Sequence, residues 1–113
     1  MNYQRNRMRR GVLPLAFCIF AFSAPLWAQG DGATLFKSKC SACHGADGSG
    51  NTPVGKSMKL RDFSSADVQK QTDAELTAII TNGKAGGMPS YKGKLTDDQI
   101  KQLVSFIRGL AKK

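Results

Sequence analysis

Apolar residues recur at three- and four-residue spacing in three separate stretches of the chain, which is the period of an amphipathic helix. The most regular stripe lies near the C-terminus and consists of Ile100, Leu103, Val104, Ile107 and Leu110. No stretch alternates between apolar and polar residues as a half-buried strand would. The pattern therefore predicts an all-α fold.

The first predicted helix runs from about Gly32 to Ala42, with Asp31 as its N-cap. A segment rich in glycine and small polar residues follows, and it reads as a loop as far as Leu60. A weaker signal predicts a short helix around Ser65 to Gln69.

The last two predicted helices each begin at a capping box, in which a Thr and a Glu or Gln three residues later bond each other's backbone N–H groups. The pairs are Thr72 with Glu75 and Thr96 with Gln99. The glycine at position 83 can end the earlier of these helices.

The first 28 residues differ in composition from the rest. Four arginines precede an almost unbroken apolar run that ends at the small residue Ala28, an order typical of a secretory signal peptide. We predict cleavage after Ala28, with residues 1–28 removed and residues 29–113 forming one exported, periplasmic domain. Cys18 would leave with the signal. The alternative is an uncleaved membrane anchor, because the uncharged stretch from Gly11 to Ala28 has 18 residues, near the lower limit for a span.

Cleavage would leave 85 of the 113 residues and remove four of the 17 Lys and Arg residues, so that the net charge falls from +9 to +5. Lysines scattered among few aromatic residues are typical of a solvated surface, and we expect no nucleic-acid binding. The remaining positive charge predicts attraction to acidic partners.

The motif with the clearest chemistry is Cys40-Ser41-Ala42-Cys43-His44. Two thiols three positions apart, followed directly by a histidine, are the arrangement that attaches a c-type haem. A structural zinc site needs four protein ligands, whereas the chain has one His and three Cys, one of them in the predicted signal. A disulfide would leave His44 unexplained. We therefore predict that Cys40 and Cys43 bind haem covalently and that His44 is one axial ligand of its iron.

The other face of the iron needs a second ligand, and the candidates are Met58 and Met88. A methionine is usually core filler. Met88, however, lies in a glycine-rich loop and precedes Pro89, which restricts its backbone. Met58 follows His44 by 14 residues, but nothing around it fixes its position. We predict Met88 as the ligand and keep Met58 as the alternative.

Together, the Cys-x-x-Cys-His motif and the later Gly87-Met88-Pro89 resemble the class I c-type cytochromes. The resemblance covers essentially all of residues 29–113. It implies a small cytochrome c fold, in which three to four helices wrap around one covalent haem c.

The same resemblance implies two packing details. The first helix should pack on the last through Gly32 and Phe36, which would meet Leu103 and Phe106. A carbonyl near a proline of the following loop should accept the proton of the ligand histidine, and Pro53 matches that proline by position.

A haem with His and Met ligands has no vacant position for oxygen or peroxide, so the expected function is a monomeric one-electron carrier and not an enzyme. An apolar pocket would favour ferrous iron; its expected members are Phe36, Leu60, Leu76, Ile79 and Ile80. Exposed lysines would guide docking to a redox protein donor and acceptor with acidic surfaces; the candidates are Lys56, Lys59, Lys84 and Lys92. The alternatives are a small haem enzyme or gas sensor with a labile sixth ligand, and a structural subunit of a larger oxidoreductase.

Overall fold

A computed structural model describes residue 11 and residues 27–112 of the chain. The regular elements of this described part are all helical: α1 (Trp27–Lys39), α2 (Ser41–His44), α3 (Pro53–Ser57), α4 (Ala66–Gln69), α5 (Asp73–Asn82), α6 (Asp97–Gly109) and a final 3-10 turn (Leu110–Lys112). Three of the six helices have ten residues or more, and the others are single turns. The prediction of an all-α fold is confirmed.

Most of the predicted signal peptide, including Cys18, lies outside the described residues. Helix α1 begins at Trp27, so cleavage after Ala28 would fall within its first turn. Within the described residues, no helix combines the length and the apolar character that a membrane span requires.

Helices α1 and α6 cross at close range, and a glycine makes this approach possible. A β-carbon added at Gly32 would lie 2.5 Å from the carbonyl oxygen of Gln102. Next to this point Phe36 is 1% exposed, and its ring centroid is 4.8 Å from that of Phe106. Leu103 is buried in the same core. The packing implied by the resemblance is therefore confirmed.

Both predicted capping boxes are formed. The Thr72 hydroxyl accepts a hydrogen bond from the Glu75 N–H (3.1 Å), and the Glu75 carboxylate accepts one from the Thr72 N–H (2.7 Å). Thr96 and Gln99 form the same reciprocal pair. The Thr72 bonds lower the pKa of Glu75. The apolar stripe of the last helix is buried in full, as its period predicts.

The predicted bounds of the first helix are wrong at both ends. Helix α1 begins five residues before Gly32, so Asp31 lies inside it and is not the N-cap. Packing against α6 offsets the weak helix propensity of the glycines here. The helix ends at Lys39 because the chain turns at Cys40, and the Lys39 carbonyl accepts a hydrogen bond from the Tyr91 hydroxyl (2.8 Å).

The loop predicted as far as Leu60 contains a short helix, α3. The Thr52 side chain caps it by accepting a hydrogen bond from the Gly55 N–H (2.8 Å), and Pro53 occupies the first helical position. Both residue types favour a helix start. The predicted short helix near Ser65 is present as α4, which begins at Ala66.

Arg108 joins α6 to the segment between α4 and α5. Its guanidinium donates hydrogen bonds to the Asp73 carboxylate (2.8 Å), to the Gln69 carbonyl (2.9 Å) and to the Gln71 carbonyl. The Gln69 amide in turn donates to the carbonyls of Phe63 and Ile107. These contacts fix the chain that follows Phe63 against the last helix.

The close helix crossing yields a prediction for Gly32→Ala. We expect the substitution to lower the free energy of unfolding of the haem-loaded protein by about 1–3 kcal/mol, because the added methyl group would meet backbone atoms of α6. Denaturant titration measures the change.

Gly109→Ala is the matched control, since a β-carbon at this helical position has no heavy atom within 4 Å. We expect it to be neutral or to stabilise by up to about 1 kcal/mol. Equal destabilisation by both substitutions would contradict the role assigned to the crossing.

Candidate haem site

The Cys-x-x-Cys-His segment forms a single helical turn of its own. The Cys40 carbonyl accepts hydrogen bonds from the Cys43 N–H (3.2 Å) and from the His44 N–H (3.0 Å). Gly45 follows with a φ of +80°, a conformation that favours glycine, and ends the turn. Both cysteines and the histidine consequently line one cavity.

The two thiols are free and half-buried. Burial, and secondarily the nearby Cys43, raises the pKa of the Cys40 thiol to about 11. Before any bond to a cofactor is made, Cys40 is therefore a neutral thiol at neutral pH.

The chain after His44 folds closely around this turn. The Thr52 hydroxyl donates a hydrogen bond to the Cys43 carbonyl (2.6 Å), and the Gly50 N–H donates one to the His44 carbonyl (2.7 Å). A β-carbon at Gly55 would lie 2.1 Å from the Gly50 carbonyl oxygen, so only glycine fits there. These contacts fix the backbone that carries the motif.

The His44 imidazole is stacked on Phe63, with ring centroids 4.6 Å apart and an interplanar angle of 29°. Burial lowers the pKa of the imidazole, which favours the neutral form that can bind a metal. Its Nδ1 is buried and has no hydrogen-bond partner among the described residues. The bond expected to a carbonyl near Pro53 is therefore not formed. Pro53 is the first residue of α3, where a carbonyl points along its own helix.

The cavity has a volume of about 440 Å³, within the range typical of small-molecule and cofactor sites. All five predicted pocket residues line it: Phe36, Leu60, Leu76, Ile79 and Ile80. The sequence did not indicate several further lining residues: Phe63, Val68, Tyr91, Leu103 and Ile107. Four cationic side chains also contribute to the lining: Lys39, Lys59, Arg61 and Lys84.

Both candidate methionines line the cavity. Met88 is half-buried and closes a turn, because its carbonyl accepts a hydrogen bond from the Lys84 N–H (3.1 Å). Gly86 and Gly87 take φ values of +103° and +131° within this turn, so the prediction of a glycine-dependent loop is confirmed. The Met58 methyl carbon lies 2.5 Å from the position that a β-carbon on Gly87 would take. The structure thus brings Met58 against the backbone of the Met88 loop.

Tyr91 continues the same loop and also lines the cavity. Burial, with smaller effects of Cys40 and Cys43, raises the pKa of its phenol, which stays protonated at neutral pH.

These residues fit a covalently held haem. The two thiols and the His44 ring line one apolar cavity, and thioether side chains line it from two other segments. Among the described residues, no group of three or more His, Cys, Asp or Glu side chains could hold a metal ion.

Residues 28–107 match the family model described as cytochrome c oxidase, cbb3-type, subunit III. Cytochrome c6 of Leptolyngbya boryana is 37% identical over 82 residues, which are 73% of this chain and 92% of that protein. The chain belongs to the class I c-type cytochromes. The solved KustC0563 c-type cytochrome superposes with a TM-score of 0.64 at 36% identity, covering 71% of this chain and 96% of that one.

A second kind of relative is much longer than this cytochrome. The cbb3-type cytochrome c oxidase subunit CcoP of Cereibacter sphaeroides is 34% identical over 80 residues, which are 71% of this chain but only 27% of that subunit. Membership of the family makes covalently bound haem c, with its iron, the cofactor of this cytochrome. Within the cavity, Cys40 and Cys43 would hold it and His44 would face its iron.

Replacement of both motif cysteines by serine should abolish covalent haem attachment, because serine offers no sulfur for the vinyl groups. Haem staining after denaturing electrophoresis checks this, with an antibody to the chain to confirm that protein is present.

Cys18→Ser is the control for loss of a thiol elsewhere. Since Cys18 lies in the predicted signal, we expect this variant to keep its haem stain. A stained band for the double variant would mean that the attachment site lies elsewhere.

Proposed function

We propose that this cytochrome is a soluble periplasmic one-electron carrier whose haem c is attached through Cys40 and Cys43 and ligated by His44 and Met88. The observation that supports this most strongly is that all four of these side chains line the same apolar cavity. One electron enters from a reduced redox protein and leaves to an oxidised one, with no bond made or broken.

When bound, haem c supplies an iron centre that changes oxidation state by one electron. His44 offers a neutral nitrogen, since burial lowers the imidazole pKa. Met88 offers a thioether, a ligand that favours ferrous iron and raises the potential. The apolar walls keep water away and oppose the extra charge of ferric iron. If His44 and Met88 both bind the iron, oxygen or peroxide would find no free position there, which favours a carrier over an enzyme or gas sensor.

The loop contacts favour Met88 over Met58 as the second ligand. Three hydrogen bonds attach the residues after Met88 to the end of α5, at the carbonyls of Ile80 and Thr81. Met58 is the C-cap of α3, and its methyl group packs against Gly87. Met58 is thus a packing partner of the ligand loop.

The periplasmic location is supported by the arginine-rich head and apolar run of residues 1–28. N-terminal sequencing of the exported protein tests it, and a first residue other than Gln29 would mean that cleavage does not occur after Ala28. A membrane-bound product would favour the uncleaved anchor.

A role as a subunit of a larger oxidoreductase is the second candidate, because the matching family model describes an oxidase subunit. The chain spans 92% of a cytochrome c6 and 27% of the oxidase subunit CcoP. Gel filtration of a native extract distinguishes the two, since a carrier should elute as a monomer.

Met88→Ala should remove the methionine–iron charge-transfer band, lower the midpoint potential and allow the reduced protein to bind carbon monoxide, while the haem stays attached. The physical reason is the loss of a thioether that favours ferrous iron. Optical spectra and a redox titration measure these changes.

Met58→Ala is the matched control and should keep the charge-transfer band. The reverse result, with the band lost only in Met58→Ala, would identify Met58 as the ligand.

The exposed lysines predict salt-dependent electron transfer. Oxidation by ferricyanide, an anionic probe, should slow as ionic strength rises. Replacement of Lys59 and Lys84, which line the cavity, by glutamine should lower the rate at low salt by about two- to threefold. Stopped-flow absorbance gives the rates.

Lys101→Gln removes a charge from α6, beside Asp98 and outside the haem cavity, and serves as the control. Rates independent of salt, or equal losses in the Lys101 variant, would argue against steering by charges at the cavity.

A further inference from the structure

Tyr91 forms a hydrogen bond that joins two distant parts of the site. It lies three residues after Met88 and lines the cavity. Its hydroxyl donates to the carbonyl of Lys39 at 2.8 Å across 52 residues of sequence. Lys39 is the last residue of α1 and directly precedes Cys40.

On the α1 side, this bond occupies a carbonyl at the point where the helix ends. In a continuous helix the Lys39 carbonyl would accept the N–H of Cys43. Here the Cys43 N–H bonds to the Cys40 carbonyl instead (3.2 Å). The Tyr91 hydroxyl thus donates a hydrogen bond to a carbonyl that the end of the helix leaves without a partner. This bond lies directly before the turn that directs both cysteines to the cavity.

On the loop side, three neighbouring hydrogen bonds lead to α5. The Tyr91 N–H bonds to the Ile80 carbonyl (3.2 Å), and the Lys92 N–H and the Ser90 hydroxyl bond to the Thr81 carbonyl (2.9 and 2.7 Å). These bonds fix the loop to the end of one helix. They do not set its distance from the segment that carries His44.

We propose that Tyr91 is a positioning residue that couples the two ligand-bearing segments, and that its hydroxyl bond to Lys39 holds the Met88 loop against the haem-attachment turn. This inference rests on the proposed ligation by Met88. Movement of the loop away from the cavity would separate Met88 from the iron, and the Tyr91 bond opposes that movement. Phenylalanine would fill the same space in the cavity wall without making the bond.

Imidazole binding to the ferric, haem-loaded protein tests the proposal, because imidazole competes for the iron position that Met88 occupies. A ligand that binds only the open form has an apparent affinity proportional to the open population. In Tyr91→Phe we expect imidazole to bind about two- to tenfold more tightly, the factor that one ordinary hydrogen bond is worth. Without imidazole, the methionine–iron band should remain.

Ser90→Ala is the matched control, since it removes a hydrogen bond of the same loop one residue away. The backbone bonds of Tyr91 and Lys92 still attach that loop to α5. We expect less than a twofold change in imidazole affinity. A denaturant titration of both variants separates local opening from a general loss of stability.

Unchanged imidazole binding in Tyr91→Phe, or an equal change in both variants, would overturn the inference while leaving the proposed carrier function intact. Retention of the methionine–iron band in Met88→Ala would instead refute the ligand assignment, and with it this inference. Tighter imidazole binding in Tyr91→Phe alone, together with loss of the methionine–iron band in Met88→Ala, supports both the ligand assignment and the positioning role of Tyr91.

Discussion

An apolar cavity of about 440 Å³ occupies the place where so small a protein would otherwise pack its core. A domain of this size buries only about 60–65% of the surface of its unfolded chain. The rest of its core is therefore too small to compensate if the apolar side chains around the cavity stay in contact with water. These side chains lose their contact with water only when a group fills the cavity, and haem c is that group. The cofactor is therefore part of the core as well as the redox centre. Anything that binds the folded chain and not the unfolded one adds to its stability, and a covalent tether keeps that contribution at any dilution.

The segments around such a cavity must keep their positions if the cavity is not to close. Two sets of contacts between segments distant in sequence hold them in place. The crossing of α1 and α6 depends on Gly32, where the backbones approach too closely for any side chain. The guanidinium of Arg108 binds the segment that joins α4 to α5, and Gln69 extends this network to the carbonyl of Phe63. Because Phe63 stacks on His44, the orientation of the imidazole is connected by packing and hydrogen bonds to the last helix.

Local signals predicted most of the fold, because they depend on residues close in sequence. The capping boxes at Thr72 and Thr96, the buried stripe of α6 and the glycines before Met88 were all recognisable in this way. The features that were missed depend on distant partners. Nothing between Lys39 and Ser41 would end a helix locally, and the turn there coincides with a bond from Tyr91, 52 residues away. The hydrogen bond expected between His44 and the chain near Pro53 is also absent. The Thr52-Pro53 pair begins helix α3, in a segment whose composition predicted a loop.

Rapid one-electron transfer requires that the ligands move little when the iron changes oxidation state. In this cytochrome the two proposed ligands come from segments with separate supports. His44 is fixed by its own helical turn, by Phe63 and by the chain folded around Thr52, whereas Met88 depends on a glycine turn attached to α5. Separate supports would let the distance between the segments vary, even if each were rigid. A direct contact between the two segments is therefore needed. The three hydrogen bonds from the loop to α5 do not provide it, because they do not fix the distance between the Met88 loop and the segment that carries His44. The hydroxyl of Tyr91 and the methyl group of Met58 provide two side-chain contacts between the Met88 loop and the haem-attachment half of the chain.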